Sequence, residues 1–389
     1  MTSLPATTAA LRAANQHRVV RAIREAGPLS QAEIARRTQL APPTVSGIIR
    51  DLVAHGFLHS EAGAGRRGAA VTIAPSAGVV AGVDFGHSHL EVAVADLAGR
   101  ISRSRSVPLA PDTASGDALR LADSLIDEML AAAGRTRSEL RAVGMAVPSP
   151  IGRDGTIDSG MILPGWVGVD ARLEAEAVFG CVVLVDNDAN LGALAEHALG
   201  AGRGHDDLVY IKVGSGVGCG LVLDGRVHRG SLGTAGELGH FTLDEGGPLC
   251  RCGSRGCLEA YVGGAALVQQ YAQVSGETDV ASFVAAALGG DQGARRLIED
   301  AGRQLGRAVS VVVNLLGPGV VVVGGEMSAA GDLLLDEVRA SLRRHVLTPI
   351  GRDVRVLAST IEGRASCLGS VLLALEAVEL PVGEAARDR

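Results

Sequence analysis

The chain is nearly without lysine. One of its 36 basic residues is lysine, Lys212, and the others are arginines. Lys212 does not lie in a G-x-x-x-x-G-K-[ST] pattern, so a Walker-type phosphate loop is excluded. Aromatic rings are also scarce: five Phe, three Tyr and one Trp in 389 residues. That argues against a single-strand nucleic-acid binder built on stacking platforms. The N-terminus has no basic stretch followed by an apolar core, so no signal peptide is expected. The most hydrophobic stretch, 308–325, is broken by Asn314 and by Gly317-Pro318-Gly319. It reads as a helix, a turn and a buried strand, not as a membrane span. Glycine and proline, 53 and 14 residues, are too few for a low-complexity chain. Six cysteines in a long chain with no export signal favour thiols or metal ligands over disulfides. A cytoplasmic protein that does not enter a membrane is expected.

What is there is the composition of a globular protein, 47% hydrophobic and 20% charged. At ~100–200 residues per domain, the length predicts two or three domains, each able to bury its own core. The net charge of −7 is uneven. Residues 1–70 hold nine arginines against four carboxylates, a net of +5, and the remainder nets −12. Such asymmetry fits a basic nucleic-acid module on an acidic body, or else a solvated arginine-rich face.

The first 75 residues read as a winged helix-turn-helix. Leu11, Val19, Val20 and Ile23 recur at helical spacing and stop at Gly27-Pro28. Ser30 with Glu33 three residues on forms a capping-box pattern for a second helix. A third helix starts at Pro42-Pro43, where proline is tolerated because the first-turn N–H has no intrahelical acceptor. Val45, Ile48, Ile49 and Leu52 make its apolar stripe, leaving Pro43, Thr44, Ser46 and Arg50 off the stripe to face DNA. Two short strands flank a tip carrying Arg66 and Arg67, arginines suited to phosphates or a narrow minor groove. The competing reading is a three-helix cap that binds no DNA.

From Gly78 on, buried strands alternate with helices, which predicts an α/β body. A hairpin-then-helix pattern follows both Asp84 and Lys212, so two similar lobes with a cleft between them are expected: 76–200, with a C-terminal helix at 364–380 packing back onto it, and 201–363. Three glycine-rich turns follow buried strands: Asp84-Phe85-Gly86-His87-Ser88-His89, Gly214-Ser215-Gly216 and Gly324-Gly325. Glycine lets backbone N–H groups approach an anion, so Asp84, Gly86, Ser88, Gly214, Ser215, Gly216, Gly324 and Gly325 are candidate nucleotide contacts. Tight hairpins need glycine as well.

Asn187-Asp188 ends one strand and opens a helix. A carboxylate there can take a proton from a substrate hydroxyl in phosphoryl transfer, or the pair can serve only as an N-cap. Farther on, His240, Cys250, Cys252 and Cys257 offer one imidazole and three thiolates within 18 residues. That set closes a tetrahedral zinc site with no position left for water, so the zinc would be structural. Otherwise they are three free thiols near an unrelated histidine. Cys181, Cys219 and Cys367 are expected as buried thiols.

These segments resemble the ROK family (repressors, open reading frames and sugar kinases) from about residue 11 to 380. The most specific part is 236–259, with its Cys-x-Cys-Gly-x-x-Gly-Cys element. Asn187-Asp188-Ala189-Asn190 and Leu163-Pro164-Gly165-Trp166 are similar to further family motifs. The resemblance implies a two-lobed actin/hexokinase-like (ribonuclease H-like) fold in a homodimer or homotetramer. It implies that Asn187, Asp188, Glu237, His240 and Glu259 bind a sugar, with His240 also on the zinc. Members with an N-terminal winged helix are mostly repressors of sugar-utilisation genes. Those without it are mostly sugar kinases, in which Asp188 would be the general base and Mg-ATP the cofactor. The chain departs from family kinases in its first turn, where His87 and His89 replace small or differently charged residues. The expectation is a sugar-responsive regulator of a palindromic double-stranded operator with weak or absent kinase activity. An ATP-dependent hexose or N-acetyl-hexosamine kinase is the alternative.

Overall fold

The computed structural model describes residues 8–61, 70–152, 155–157, 162–277, 279–347, 353–361 and 363–381. Arg66 and Arg67, expected at the wing tip, lie outside the described residues.

Three helices come first: α1 (Thr8–Ala26), α2 (Gln31–Thr38) and α3 (Pro42–Ala54). α1 stops at Gly27, whose φ of 76° suits a residue without Cβ. Ser30 Oγ accepts from Glu33 N at 3.3 Å while the Glu33 carboxylate accepts from Ser30 N at 2.9 Å, the expected capping box. Strands β1 (Leu29–Ser30), β2 (Leu58–Glu61) and β3 (Ala70–Ile73) form an antiparallel sheet in the order β1-β3-β2. The unit is a winged helix-turn-helix.

The body holds two five-stranded sheets. The first contains β4 (Val79–Phe85), β5 (His89–Asp96), β6 (Ile101–Pro108), β7 (Leu140–Val147) and, after the small pair β8 (Thr156–Ile157) and β9 (Val169–Asp170), β10 (Val182–Asn187). Its order is β10-β7-β4-β5-β6. The second contains β11 (Leu208–Val213), β12 (Val217–Leu223), β13 (Arg226–Val227), β14 (Val320–Gly324) and β15 (Arg355–Ala358), in the order β13-β12-β11-β14-β15. In each, the first strand is central, with an antiparallel pair on one side and a parallel pair on the other. The two sheets thus repeat one topology, the two-lobed α/β arrangement expected.

Helices cover the sheets: α4 (Ser115–Ala132) and α5 (Ala171–Phe179) on the first, α6 (Asp188–Ala198) between the two, then α7 (Glu259–Val262), α8 (Gly264–Ser275), α9 (Val280–Leu288), α10 (Gln292–Leu316) and α11 (Asp332–His345) on the second. The last helix, α12 (Ala365–Ala377), packs at backbone distance. A Cβ on Gly82 of β4 would lie 2.8 Å from Cys367 O, one on Gly144 of β7 1.9 Å from Ser370 O, and one on Gly369 2.0 Å from Leu191 O of α6. Glycine at these positions is a packing requirement.

The winged helix has no separate core. Val19, Ile23, Ile49 and Leu52 share one apolar cluster with Val80, Ala93 and Leu97 of the first lobe and with Val371 and Leu375 of α12. The expectation of one core per domain is corrected here: α12 offers apolar side chains to both bodies, and the module sits on them. Cys219 and Cys367 are buried as expected, but Cys181 is only half-buried, just before the exposed start of β10.

Candidate functional site

Strand ends from both lobes meet at a cleft of 160 Å³. That is below the ~300–1,000 Å³ of drug-sized pockets, and it suits one small polar ligand. Asn187, Asp188, Glu237, His240 and Glu259 line it together, as do Asp84, Gly86, Ser88, Gly214, Ser215, Gly216 and Gly325. Gly324 lies behind this wall, in β14, where a Cβ would sit 2.6 Å from the Tyr210 hydroxyl.

Asn187 caps α6: its Oδ1 accepts from Ala189 N at 2.9 Å and from Asn190 N at 3.3 Å. Its Nδ2 donates to Ser149 O at 3.2 Å. The cap places Asp188 in the first helical turn, 8% exposed, where the helix N-terminus favours a carboxylate. Lys212 Nζ donates to Asp188 Oδ2 at 2.7 Å and to Ser366 Oγ at 3.2 Å. Burial alone would lower the Lys212 pKa, but Asp188 and Asp84 hold the ammonium in its charged form. Asp186, one residue before the cap, accepts from Arg229 Nε at 2.7 Å and from Asn190 Nδ2 at 2.9 Å.

Three carboxylates, Asp188, Glu237 and Glu259, crowd one wall of the cleft. Burial, then Asp188 and Glu259, push Glu237 up to about 7. Burial also works on Glu259, but Arg251 Nε at 2.7 Å and Val217 N at 2.9 Å bond its carboxylate and bring the pKa down. One acid near neutrality beside a fixed carboxylate can both accept from and donate to ligand hydroxyls.

The opposite wall is obstructed. Gly86 N donates to His89 O at 2.8 Å, which closes the first turn. A Cβ on Gly86 would lie 2.1 Å from the His89 ring, so this imidazole fills the space that the glycine leaves. A hydrogen bond to Asp84 raises the His89 pKa against the effect of burial. His87 is lowered by burial and by Arg251. His89 thus packs over the first glycine turn, and His87 lines the cleft beside it.

Next to the cleft, one ligand atom each from His240, Cys250, Cys252 and Cys257 lie within 4.8 Å of one another. Cys252 Sγ and Cys257 Sγ are 3.7 Å apart, as are Cys250 Sγ and His240 Nδ1. Metal–sulfur bonds of ~2.3 Å at a tetrahedral centre set sulfur atoms about 3.8 Å apart, so the four donors fit a zinc ion. His240 belongs to this cluster and to the cleft wall at once.

On α3, Val45, Ile48, Ile49 and Leu52 are buried, and Pro43, Thr44, Ser46 and Arg50 are exposed. The free face carries hydroxyls and a guanidinium able to reach base edges or phosphates.

Residues 80–377 match the ROK family model. The chain belongs to the ROK family. Residues 12–68 of this ROK chain also match the MarR family model. The chain is 26% identical over 361 residues to the xylose repressor of Bacillus subtilis strain 168, covering 91% of itself and 93% of that protein. The crystal structure of a ROK family transcriptional regulator, a homolog of the Escherichia coli MLC protein, aligns with a TM-score of 0.81 at 26% identity, over 95% of this chain and 96% of that one. The ROK family glucokinase of Streptomyces griseus, solved with glucose and AMPPNP, aligns with a TM-score of 0.67 at 30% identity. It covers 77% of this chain and 100% of its own. The uncovered share of this ROK chain is of the size of its N-terminal module.

Lys212, Arg229, Arg251 and Ser366 were not candidates on sequence grounds. The only signal for Lys212 was its being a lone lysine inside an apolar strand. Arg229 and Ser366 show nothing until the chain folds, because Asp186 and Asp188 are distant in sequence, and no local pattern pairs Arg251 with Glu259 eight residues on.

Proposed function

We propose that this ROK chain is a sugar-responsive DNA-binding transcriptional regulator, a repressor of carbohydrate-utilisation genes. The observation that carries the reading is the pairing of a free α3 face with a carboxylate-lined cleft in one continuous body. Thr44, Ser46 and Arg50 enter the major groove of double-stranded DNA, and Arg66 and Arg67 of the wing follow the backbone or minor groove. A monosaccharide in the cleft hydrogen-bonds to Asn187, Asp188, Glu237, His240 and Glu259. The protein works as a homodimer or homotetramer on a palindromic operator in the cytoplasm. Zinc held by His240, Cys250, Cys252 and Cys257 is structural and stiffens the loop that presents Glu237, His240 and Glu259.

A gel-shift titration tests this reading. DNA fragments recovered by genome-wide mapping are to be retained and then released by one of D-xylose, D-glucose or N-acetyl-D-glucosamine. If no fragment is retained at low salt, the regulator reading fails.

The likeness to a glucokinase keeps a second reading in view: a sugar kinase with Asp188 as general base and Mg-ATP as cofactor. Two features oppose it. Lys212 already occupies the Asp188 carboxylate, and the His89 ring occupies the first phosphate turn. Asp84, Gly86, Ser88, Gly214, Ser215, Gly216, Gly324 and Gly325 then shape a turn framework with weak or absent ATP use. ADP release above background with any of the three sugars, abolished by Asp188→Asn, would establish the kinase.

A further inference from the structure

The DNA-binding module is fastened to the first lobe by a half-buried arginine. Arg24, on α1, donates from Nε to Leu97 O at 2.8 Å and from Nη1 to Leu375 O at 3.1 Å. Leu97 belongs to the turn between β5 and β6, and Leu375 to the last turn of α12. One guanidinium therefore bonds two backbone carbonyls from two elements outside its own module. Its fork geometry holds both at fixed angles, which an ammonium would not. Around it the apolar cluster runs without a break from α1 into the sheet and α12.

The other end of α12 lies at the cleft. Ser366, in its first turn, donates from Oγ to Asp188 O at 3.0 Å and accepts from Lys212 Nζ at 3.2 Å. Arg364 Nε, just before the helix, donates to Glu91 Oε1 of β5 at 2.8 Å. Between its ends the helix cannot slide, because Gly82, Gly144 and Gly369 bring backbone against backbone. Lys212 comes from β11 in the second lobe, Asp188 follows β10 of the first, and Ser366 opens α12 between the two sheets. Ala365 and Leu368 of α12 pack with Leu208, Tyr210 and Val322 of the second sheet, so the head of α12 sits where the two sheets meet.

We infer that the winged helix, the first-lobe sheet and α12 move as one lever, with Arg24 pinning α1 to its end and the Lys212 contact with Asp188 and Ser366 as the fulcrum that cleft occupancy shifts. The inference rests on the regulator reading and specifies how it works. No flexible linker intervenes: β3 leads through the short turn Pro75–Ala77 directly into β4. α1 and α3 share their core, so a rotation of the lobe carries Thr44, Ser46 and Arg50 with it. In an oligomer such a rotation changes the separation of two α3 helices, a difference that DNA half-sites detect. The sugar acts only through its differential affinity for the two lobe positions.

The test is Arg24→Met in the full-length chain, which keeps much of the apolar stem and removes both hydrogen bonds. Three quantities are measured with D-xylose, D-glucose and N-acetyl-D-glucosamine: sugar affinity by calorimetry, operator affinity without sugar, and the ratio of operator affinities without and with sugar. A coupled wild type shows a ratio of about 5–150. The variant is expected to keep its sugar affinity while the ratio falls toward one. Hydrogen exchange on the wild type gives a second readout: sugar should alter protection in both α12 and α1. The lever is overturned if Arg24→Met keeps the wild-type ratio, or if exchange changes stay confined to the cleft. If the wild type itself releases no DNA with any sugar, the regulator reading falls together with the lever.

Discussion

Lys212 and Asp188 form an ion pair across the cleft, 2.7 Å from Nζ to Oδ2, with the only lysine of the chain on one lobe and the helix-opening carboxylate on the other. The pair ties strand β11 to the head of α6. Removing one member leaves the other buried without its counter-charge.

Lys212→Met should therefore destabilise the fold by about 3 kcal/mol, the usual cost of stranding a buried partner. Adding Asp188→Asn should recover most of that loss. Urea midpoints of the two variants and the wild type check it; equal midpoints for all three would show that the pair contributes nothing.

Under the proposed function, Glu237 is expected to make sugar binding depend on pH. Its pKa rises from 4.5 to about 7, through burial first and then through Asp188 and Glu259. In the unliganded fold the group keeps a proton that the unfolded chain has lost, so its contribution to stability falls as pH rises through that window. Sugar hydroxyls that donate to Glu237 favour the carboxylate. Sugar affinity should then increase with pH across about 6–8, with a proton released on binding. Calorimetry in buffers of different ionisation enthalpy measures that proton, and Glu237→Gln should abolish it.

The thiolate cluster predicts about one zinc per chain by elemental analysis. Stripping it with a chelator should lower both thermal stability and sugar affinity, since His240 serves cluster and cleft. Cys252→Ser with unchanged metal content would count against the site.

Arg50, exposed on α3, should contact phosphate or a base edge. If it meets phosphate, Arg50→Ala weakens all DNA alike and reduces the salt slope of binding by about 1. If it reads a base, the loss is about 1–3 kcal/mol and falls mainly on the operator.

Much of this was legible in the sequence because the signals are local. Ser30 and Glu33 announce their helix, Val45, Ile48, Ile49 and Leu52 their buried face, and the close spacing of three cysteines their cluster. The two-lobed repeat shows in the strand pattern after Asp84 and Lys212. What stayed hidden depends on distance. Arg24 is 351 positions from Leu375, and nothing nearby in sequence marks it as a donor to a distant carbonyl. The shared core was missed for a related reason: α12 has apolar residues on several faces, and the sequence does not say which bodies those faces meet. The change in the first turn could be read from His87 and His89, but that the His89 ring lies over Gly86 is a result of folding.

The joint between module and body bears on how such chains can be recombined. Leu97, Val371 and Leu375 are buried beneath α1. A foreign reader grafted at residue 75 would uncover an apolar saddle and leave two carbonyls without their guanidinium. Interchangeable parts would have to be cut as a reader together with the saddle it sits on. Families built this way should diversify their operators by substitution on α3 more readily than by exchange of whole heads.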